Sequence, residues 1–366
     1  MARVTGGPRL TGSWPFPYLP WVGMVMAPFS VLPFWIAFAL WDALGLAMIT
    51  VATWRWAVAL DWRHPWWAAM VAGGSSVAVV NYFLGQVSTV VLALLVAALL
   101  AAKDRRYGWA GAIAMTGALL KPQDLWPLIL LVWLVPESPT ASAWARIALG
   151  QISAFLILVG TPLLVSGALL GSWLQLLIHF GSRLPSQREL VGLPGLLAFT
   201  PANWHLSPSF QDPVVVVMIL LGCLAIVVML HRLLLTAALL RLPPARRIGW
   251  LLLLPLGVWM LVTPYGHTQD VVVAFPLTML ALGDGGAALR RPFGWVLVTS
   301  VLVIPVAMIF FSDYLFPPES LAPVGLLILV SMAVAALRHE LAAKPSAVAP
   351  PEDAAAVSES LPSVVT

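Results

Sequence analysis

Inside the apolar stretch GALLKPQDLWPLILL, residues 117–131, stand four residues out of keeping with it: Lys121, Pro122, Gln123 and Asp124. Pro122 cannot continue a preceding helix, and it biases Lys121 away from helical backbone. Backbone groups are thereby freed beside an ammonium. Lys121 reads either as a lysine snorkelling at a helix end or as a compact point charge for a phosphate. Gln123 adds an amide beside it. A second group is TPYGHTQD, 263–270, where Pro264 and Gly266 interrupt the chain and Tyr265, His267, Gln269 and Asp270 follow closely. Asp270 and His267 can act as general base and proton partner, or belong to an exposed polar turn. A third is NYFLGQ, 81–86. Gly85 permits a tight turn there, and Asn81 and Gln86 can hydrogen-bond a sugar or simply close a hairpin. Arg183 and Arg188 either bind phosphate or flank an interfacial helix. Asp42 lies within an apolar run, where a carboxylate is functional by default or bonded to a neighbouring helix.

The elements that carry these groups are apolar. Of 366 residues, 61% are hydrophobic and only 9% charged, against about 25% charged in soluble domains. Continuous rather than alternating apolar runs argue against a β-barrel and predict an all-α, polytopic membrane protein. Eleven segments are expected, at roughly 33–54, 66–84, 86–102, 107–120, 124–136, 145–169, 213–231, 248–263, 270–284, 293–312 and 321–337. Runs near ~18 residues or longer suit a span; the fourth and fifth are short for one.

Positive charge orients the segments. With alternating crossings, one side receives Arg55, Arg63, Lys103, Arg105, Arg106, Arg146, Arg232, Arg241, Arg246, Arg247, Arg290, Arg291, Arg338 and Lys344. The other receives Lys121, Arg183 and Arg188, with Arg3 and Arg9. The richer side is expected to be cytoplasmic, and the C-terminus with it. The outer side then collects PFPYLPW (15–21) with Tyr18, both hairpin motifs, KPQD and a long connection, 171–212. Within that connection SWLQLLIHF, 172–180, is expected to form an interfacial helix. The domain plan is a flexible segment over 1–13, a transmembrane domain over 14–338, and a disordered cytoplasmic tail over 339–366.

Other chemistries find no support. There is no P-loop, no HExxH and no GxSxG, and no signal peptide is evident. The single Cys223 excludes an internal disulfide and a multi-cysteine metal site. No metal and no cofactor are expected, and the charge balance needs no nucleic-acid partner.

Taken in order, the motifs resemble a known family. A Tyr-x-Pro segment precedes APFSVLP and FWIAFALW. GQVSTVVLALLVAALLAAKDRRYGWAGAIAMTGALLKPQ and TPYGHTQDVVVAFPLTMLAL follow. Across roughly residues 14–285 the chain resembles glycosyltransferase family 87, polyprenol-phosphate-dependent mannosyltransferase relatives with a type C fold. The resemblance implies sugar transfer at the outer face of a bacterial plasma membrane. It implies Gln86 and Lys121 at the donor site, and Tyr265, His267 and Asp270 at the reaction centre. Such transferases usually begin with a cytoplasmic N-terminus, one span, and an outer loop bearing the catalytic acid. Here no span precedes residue 14, and residues 1–20 hold no Asp or Glu. Relative to that pattern the first span and acidic loop are expected to be missing: either the start lies further upstream, or Asp270 serves as base, or the scaffold does not catalyse. Tyr18-Leu19-Pro20 stands where Tyr-Pro-Pro is usual.

The expected activity is transfer of a hexose, mannose by resemblance, from a polyprenyl-phosphate donor to a glycolipid or glycan acceptor. The alternative is a scaffold that binds or transports polyprenyl phosphates without catalysis. Ion or proton transport, resting on Asp42 and Asp270 alone, is a third class.

Overall fold

The computed structural model describes residues 18–137, 140–179, 193, 213–263, 268–283 and 321–342. Among them the chain is helical, without a strand. The helices are α1 (Pro20–Met26), α2 (Phe34–Ala59), α3 (Pro65–Gly73), α4 (Ser76–Leu84), α5 (Ser88–Lys103), α6 (Tyr107–Leu120), α7 (Pro122–Leu131), α8 (Ala141–Val165), α9 (Gly167–His179), α10 (Pro213–Leu234), α11 (Pro244–Val262), α12 (Phe275–Leu282) and α13 (Leu321–Ala342). Short 3₁₀ turns cover Ala27–Val31, Val132–Leu134, Ala237–Arg241 and Thr268–Ala274.

Among the described residues five helices are long and apolar enough to cross a membrane: α2, α8, α10, α11 and α13. The number rises to six if α3 and α4 form one bent span. Ten of the eleven expected segments coincide with described helices, and the tenth segment, 293–312, lies outside the described residues. Four segments differ in shape: 124–136 passes from α7 into a 3₁₀ turn, 145–169 crosses an extended residue, Ser166, between α8 and α9, and two more are divided as follows. Residues 66–84 are not one rod: α3 and α4 meet at a 48° bend. It falls where Gly73 and Gly74 run into Ser75, whose hydroxyl caps α4 by accepting from the Ala78 amide at 3.2 Å. Residues 270–284 are likewise divided, opening as a 3₁₀ turn before α12. α9 covers most of the expected interfacial helix. Helix α13 continues to Ala342, and the remaining tail lies outside the described residues, as do residues 1–13.

The core forms around α11. Of its spanning window 89% is buried, against 11% for α2. Helices α5, α7, α10, α12 and α13 pack on it, while α2, α3, α8 and α10 leave large apolar side chains exposed. In water such a surface would be a liability; against lipid it is the stable arrangement.

Helices α6 and α8 approach closely because small residues line their contact. A Cβ added at Gly111 would stand 2.5 Å from the Ile147 carbonyl oxygen, and one at Gly150 would strike the Gly108 carbonyl. Small residues allow this in membranes, where dispersion and close backbone approach replace the hydrophobic drive.

Charged groups gather at the two ends of the bundle. At one end Arg105 donates to Glu137 at 2.9 Å, and Arg247 pairs with the same carboxylate. Nearby in sequence, Arg246 and Trp250 donate to Glu340 at 2.7 and 2.8 Å. These contacts tie the α5–α6 loop, the segment after α7, the start of α11 and the end of α13. The opposite end lies one α5 length away, about 24 Å for 16 residues.

Candidate active site

That opposite end holds the second charged group. Helix α6 stops at Leu120 and α7 begins at Pro122, which fills the first helical position where no N–H is needed. Lys121 between them takes φ −143° and ψ 81°, off the helix, as a residue before proline must. Its side chain turns inward and is 2% exposed. Asp270, on the 3₁₀ turn before α12, is fully buried and pairs with the Lys121 ammonium.

Ser88, the first residue of α5, closes the arrangement. The ammonium donates to its hydroxyl at 2.9 Å, and the hydroxyl donates to Asp270 Oδ1 at 2.8 Å. Lysine has no acceptor, so the direction of both bonds is fixed. Asp124 flanks the other side, with Oδ2 3.6 Å from the Lys121 ammonium and 1% side-chain exposure. It lies in the first turn of α7, where a carboxylate is favoured by the helix dipole.

The surroundings are held by neutral bonds. Helix α4 ends at Gly85, whose φ of 61° is the left-handed conformation that favours glycine. The Gln86 amide then returns to the Asn81 carbonyl at 3.0 Å, and Trp41 donates to the Gly85 carbonyl at 3.0 Å. This turn delivers Gln86 and Ser88 to the start of α5. The Tyr18 hydroxyl donates to Gln86 Oε1 at 3.2 Å. Across the site, the Gln123 carbonyl accepts from Trp259 Nε1 at 2.7 Å and Thr263 Oγ1 at 3.2 Å. The end of α11 is thereby fastened to the first turn of α7.

The sequence-derived candidates therefore divide. Lys121 and Asp270 come together. Gln86 and Tyr18 meet each other, and Gln123 contributes its backbone carbonyl to the α11 contact. Asn81 is buried and donates its amide to the Val77 carbonyl at 2.9 Å. Gln269 lies on the 3₁₀ turn, but its side chain is outside the described residues, as are Tyr265, His267, Arg183 and Arg188. Asp42, on α2, has a buried Oδ1 without a hydrogen bond among the described residues. Ser88 and Asp124 belong to the cluster but were absent from the sequence-derived site. A signal existed for each: Asp124 is three residues from Lys121 on a new helix, and Ser88 is two residues past Gln86.

The chemistry available is that of one ammonium, two carboxylates and one oriented hydroxyl. A carboxylate here can accept a proton from a bound hydroxyl, with a cation beside it to balance charge. Among the described residues no group of three His, Cys, Asp or Glu side chains is arranged to hold a metal ion.

Residues 16–264 match the family model described as Glycosyltransferase family 87. No curated protein and no solved structure matches the chain. The matched region includes Tyr18, Gln86, Ser88, Lys121 and Asp124 and ends before Asp270. Asp270 thus joins the site through the fold.

Proposed function

The chain belongs to glycosyltransferase family 87 and is a membrane glycosyltransferase; from that premise we propose that it transfers a hexose from a polyprenyl-phosphate donor to a glycolipid or glycan acceptor. The sugar is mannose in this reading. The protein is a multi-pass chain with a type C fold, set in a bacterial plasma membrane with the C-terminus cytoplasmic. The active face is outward, because the site end carries few Lys and Arg residues while the far end carries most of them.

The observation that carries the proposal is the buried Lys121–Ser88–Asp270 cluster, built where α5 starts and α6 breaks. Asp270 is the base that takes the acceptor proton. Ser88 and Lys121 aim its carboxylate, and the Lys121 charge also faces the phosphate that departs. His267 is the proton partner, and Tyr265 and Gln269 contact the sugar. Gln86, Asn81, Gln123 and Tyr18 line the donor side, with Arg183 and Arg188 on the donor phosphate. Attack occurs opposite the leaving group, so the anomeric configuration inverts.

A second reading is a scaffold that binds polyprenyl phosphate without turnover, in which the buried Lys121–Asp270 pair holds α5, α7 and the 3₁₀ turn together. One experiment separates the two. The full chain is reconstituted in vesicles with radiolabelled polyprenyl-phosphate mannose and a lipid extract from the source cells. Label moved from the donor supports transfer. Saturable donor binding with no label moved supports the second reading.

A further inference from the structure

Asp124 takes no part in the proton transfer to Asp270. It is 1% exposed, and its Oδ2 stands 3.6 Å from the Lys121 ammonium. Asp270 and Ser88 occupy the other contacts of that ammonium. One buried cation is therefore shared by two buried carboxylates, although one would neutralise it. The two carboxylates also differ. Asp270 Oδ1 receives both the ammonium and the Ser88 hydroxyl, whereas Asp124 Oδ2 receives no hydrogen bond among the described residues.

We propose that Asp124 is a positioning residue: the standing counter-ion that holds the Lys121 ammonium in place when Asp270 becomes neutral during transfer. The inference rests on the reading of Asp270 as base. In that step the acceptor O–H bond breaks and its proton goes to Asp270. The acceptor oxygen forms a bond to the anomeric carbon. The bond from that carbon to the phosphate oxygen breaks, and the electron pair stays on the phosphate. A singly charged phosphodiester becomes a monoester with one further negative charge. The negative charge lost by Asp270 thus reappears on the phosphate, and the total is unchanged.

During that exchange Lys121 would be left without its Asp270 partner. An unpaired buried charge is strongly unfavourable, and an ammonium free to leave would not face the phosphate at the moment its charge appears. Asp124 prevents this. It sits one helical turn from Lys121 at the same junction, and the start of α7 favours its charge. The Gln123 carbonyl fastens the first turn of α7, and Asp124 with it, to the end of α11.

The test is a stability cycle on the full chain purified in detergent, with Asp270→Asn standing for the proton-bearing state. Asp124→Asn and Asp270→Asn are expected to lower Tm modestly, because each leaves the ammonium one carboxylate. The double variant is expected to lose far more than the sum of the two. Adding Lys121→Met to the double variant is expected to restore accumulation and Tm, since the unpaired ammonium is then gone. Additive single shifts would overturn the proposal, as would a double variant that Lys121→Met fails to restore. In the transfer assay, Asp124→Asn is expected to lower kcat by roughly tenfold to a hundredfold with KM little changed, and Asp124→Glu to recover part of the loss. An unchanged kcat in Asp124→Asn would also overturn it. The stability cycle uses no substrate, so absence of transfer by the wild type would count against the proposed reaction and not against the role of Asp124.

Discussion

Lys121 and Asp270, 149 residues apart in sequence, meet as a buried ion pair bridged by the hydroxyl of Ser88. Each partner comes from an interruption rather than from the middle of a helix. Pro122 ends α6 and leaves Lys121 off the helix; the 3₁₀ turn before α12 carries Asp270. Helix interiors present side chains on a face already committed to packing. Breaks let side chains turn toward one another, and the start of α5 supplies the hydroxyl that joins them.

Removing the single cation from this cluster is expected to cost more than removing it together with one carboxylate. Lys121→Met leaves two buried carboxylates uncompensated and is expected to lose about 3–5 kcal/mol of stability. Lys121→Met with Asp270→Asn removes one charge of each sign and is expected to be more stable than Lys121→Met alone. Thermal unfolding of the three proteins in detergent checks this. A double variant less stable than Lys121→Met would contradict it.

The α6–α8 contact is expected to tolerate no side chain at Gly150. Its added Cβ meets the Gly108 backbone, which cannot rotate away. Gly150→Leu is expected to destabilise the protein by about 1–3 kcal/mol or more. Gly160, on the same helix, has nothing within 4 Å of an added Cβ. Gly160→Leu is expected to be neutral or slightly stabilising through helix propensity. Equal Tm losses at both positions would show that the contact is not specific.

Acid is expected to weaken the far-end clasp. The Arg247 hydrogen bond, followed by the charges of Arg247 and Arg105, holds the Glu137 carboxyl below its ordinary value of 4.5. A depressed folded value means that its stabilisation is fully present above the ordinary value and is lost as pH falls through the folded one. At neutral pH Glu137→Gln is expected to unfold at a lower temperature than wild type. The gap is expected to close on acidification below the ordinary carboxylate range. A gap that persists unchanged in acid would argue against the ion pairs as its source.

Tyr18→Phe tests whether the segment before α1 belongs to the site. The substitution removes only the hydroxyl that donates to Gln86. The bond is expected to be worth about 1 kcal/mol, seen as a KM for the lipid donor raised about fivefold. Unchanged kinetics would place Tyr18 outside the donor side.

The sequence was most legible where chemistry and pattern coincided. Residues 107–120 read as an apolar segment bounded by Arg106 and Lys121, and α6 has those bounds. Lys121 stood out because its side of the bundle holds few cations, and Pro122 showed that a helix must stop there. The bend between α3 and α4 was hidden because glycine does not interrupt an apolar run, whereas its small volume and the Ser75 cap do interrupt a helix. Segment counting also treats α5, α6 and α7 like the longer helices. They have 16, 14 and 10 residues, short of the ~20 that a span requires, so pattern alone could not separate spans from core helices. Ser88 read as an ordinary start of an apolar run. Its bond to Asp270 crosses 182 positions, a relation that no local period encodes. Asp124 was visible within KPQD, but only the fold shows that its helix turns it toward Lys121 rather than toward solvent.

The most direct measurement is the rate of sugar transfer from polyprenyl-phosphate mannose by reconstituted wild type and by Asp270→Asn, at matched protein levels. Wild type is expected to transfer sugar, and Asp270→Asn to fall by about 10²–10⁴-fold, the usual contribution of a general base, while still accumulating in the membrane. A well-folded Asp270→Asn protein that transfers sugar at the wild-type rate would contradict Asp270 as the base.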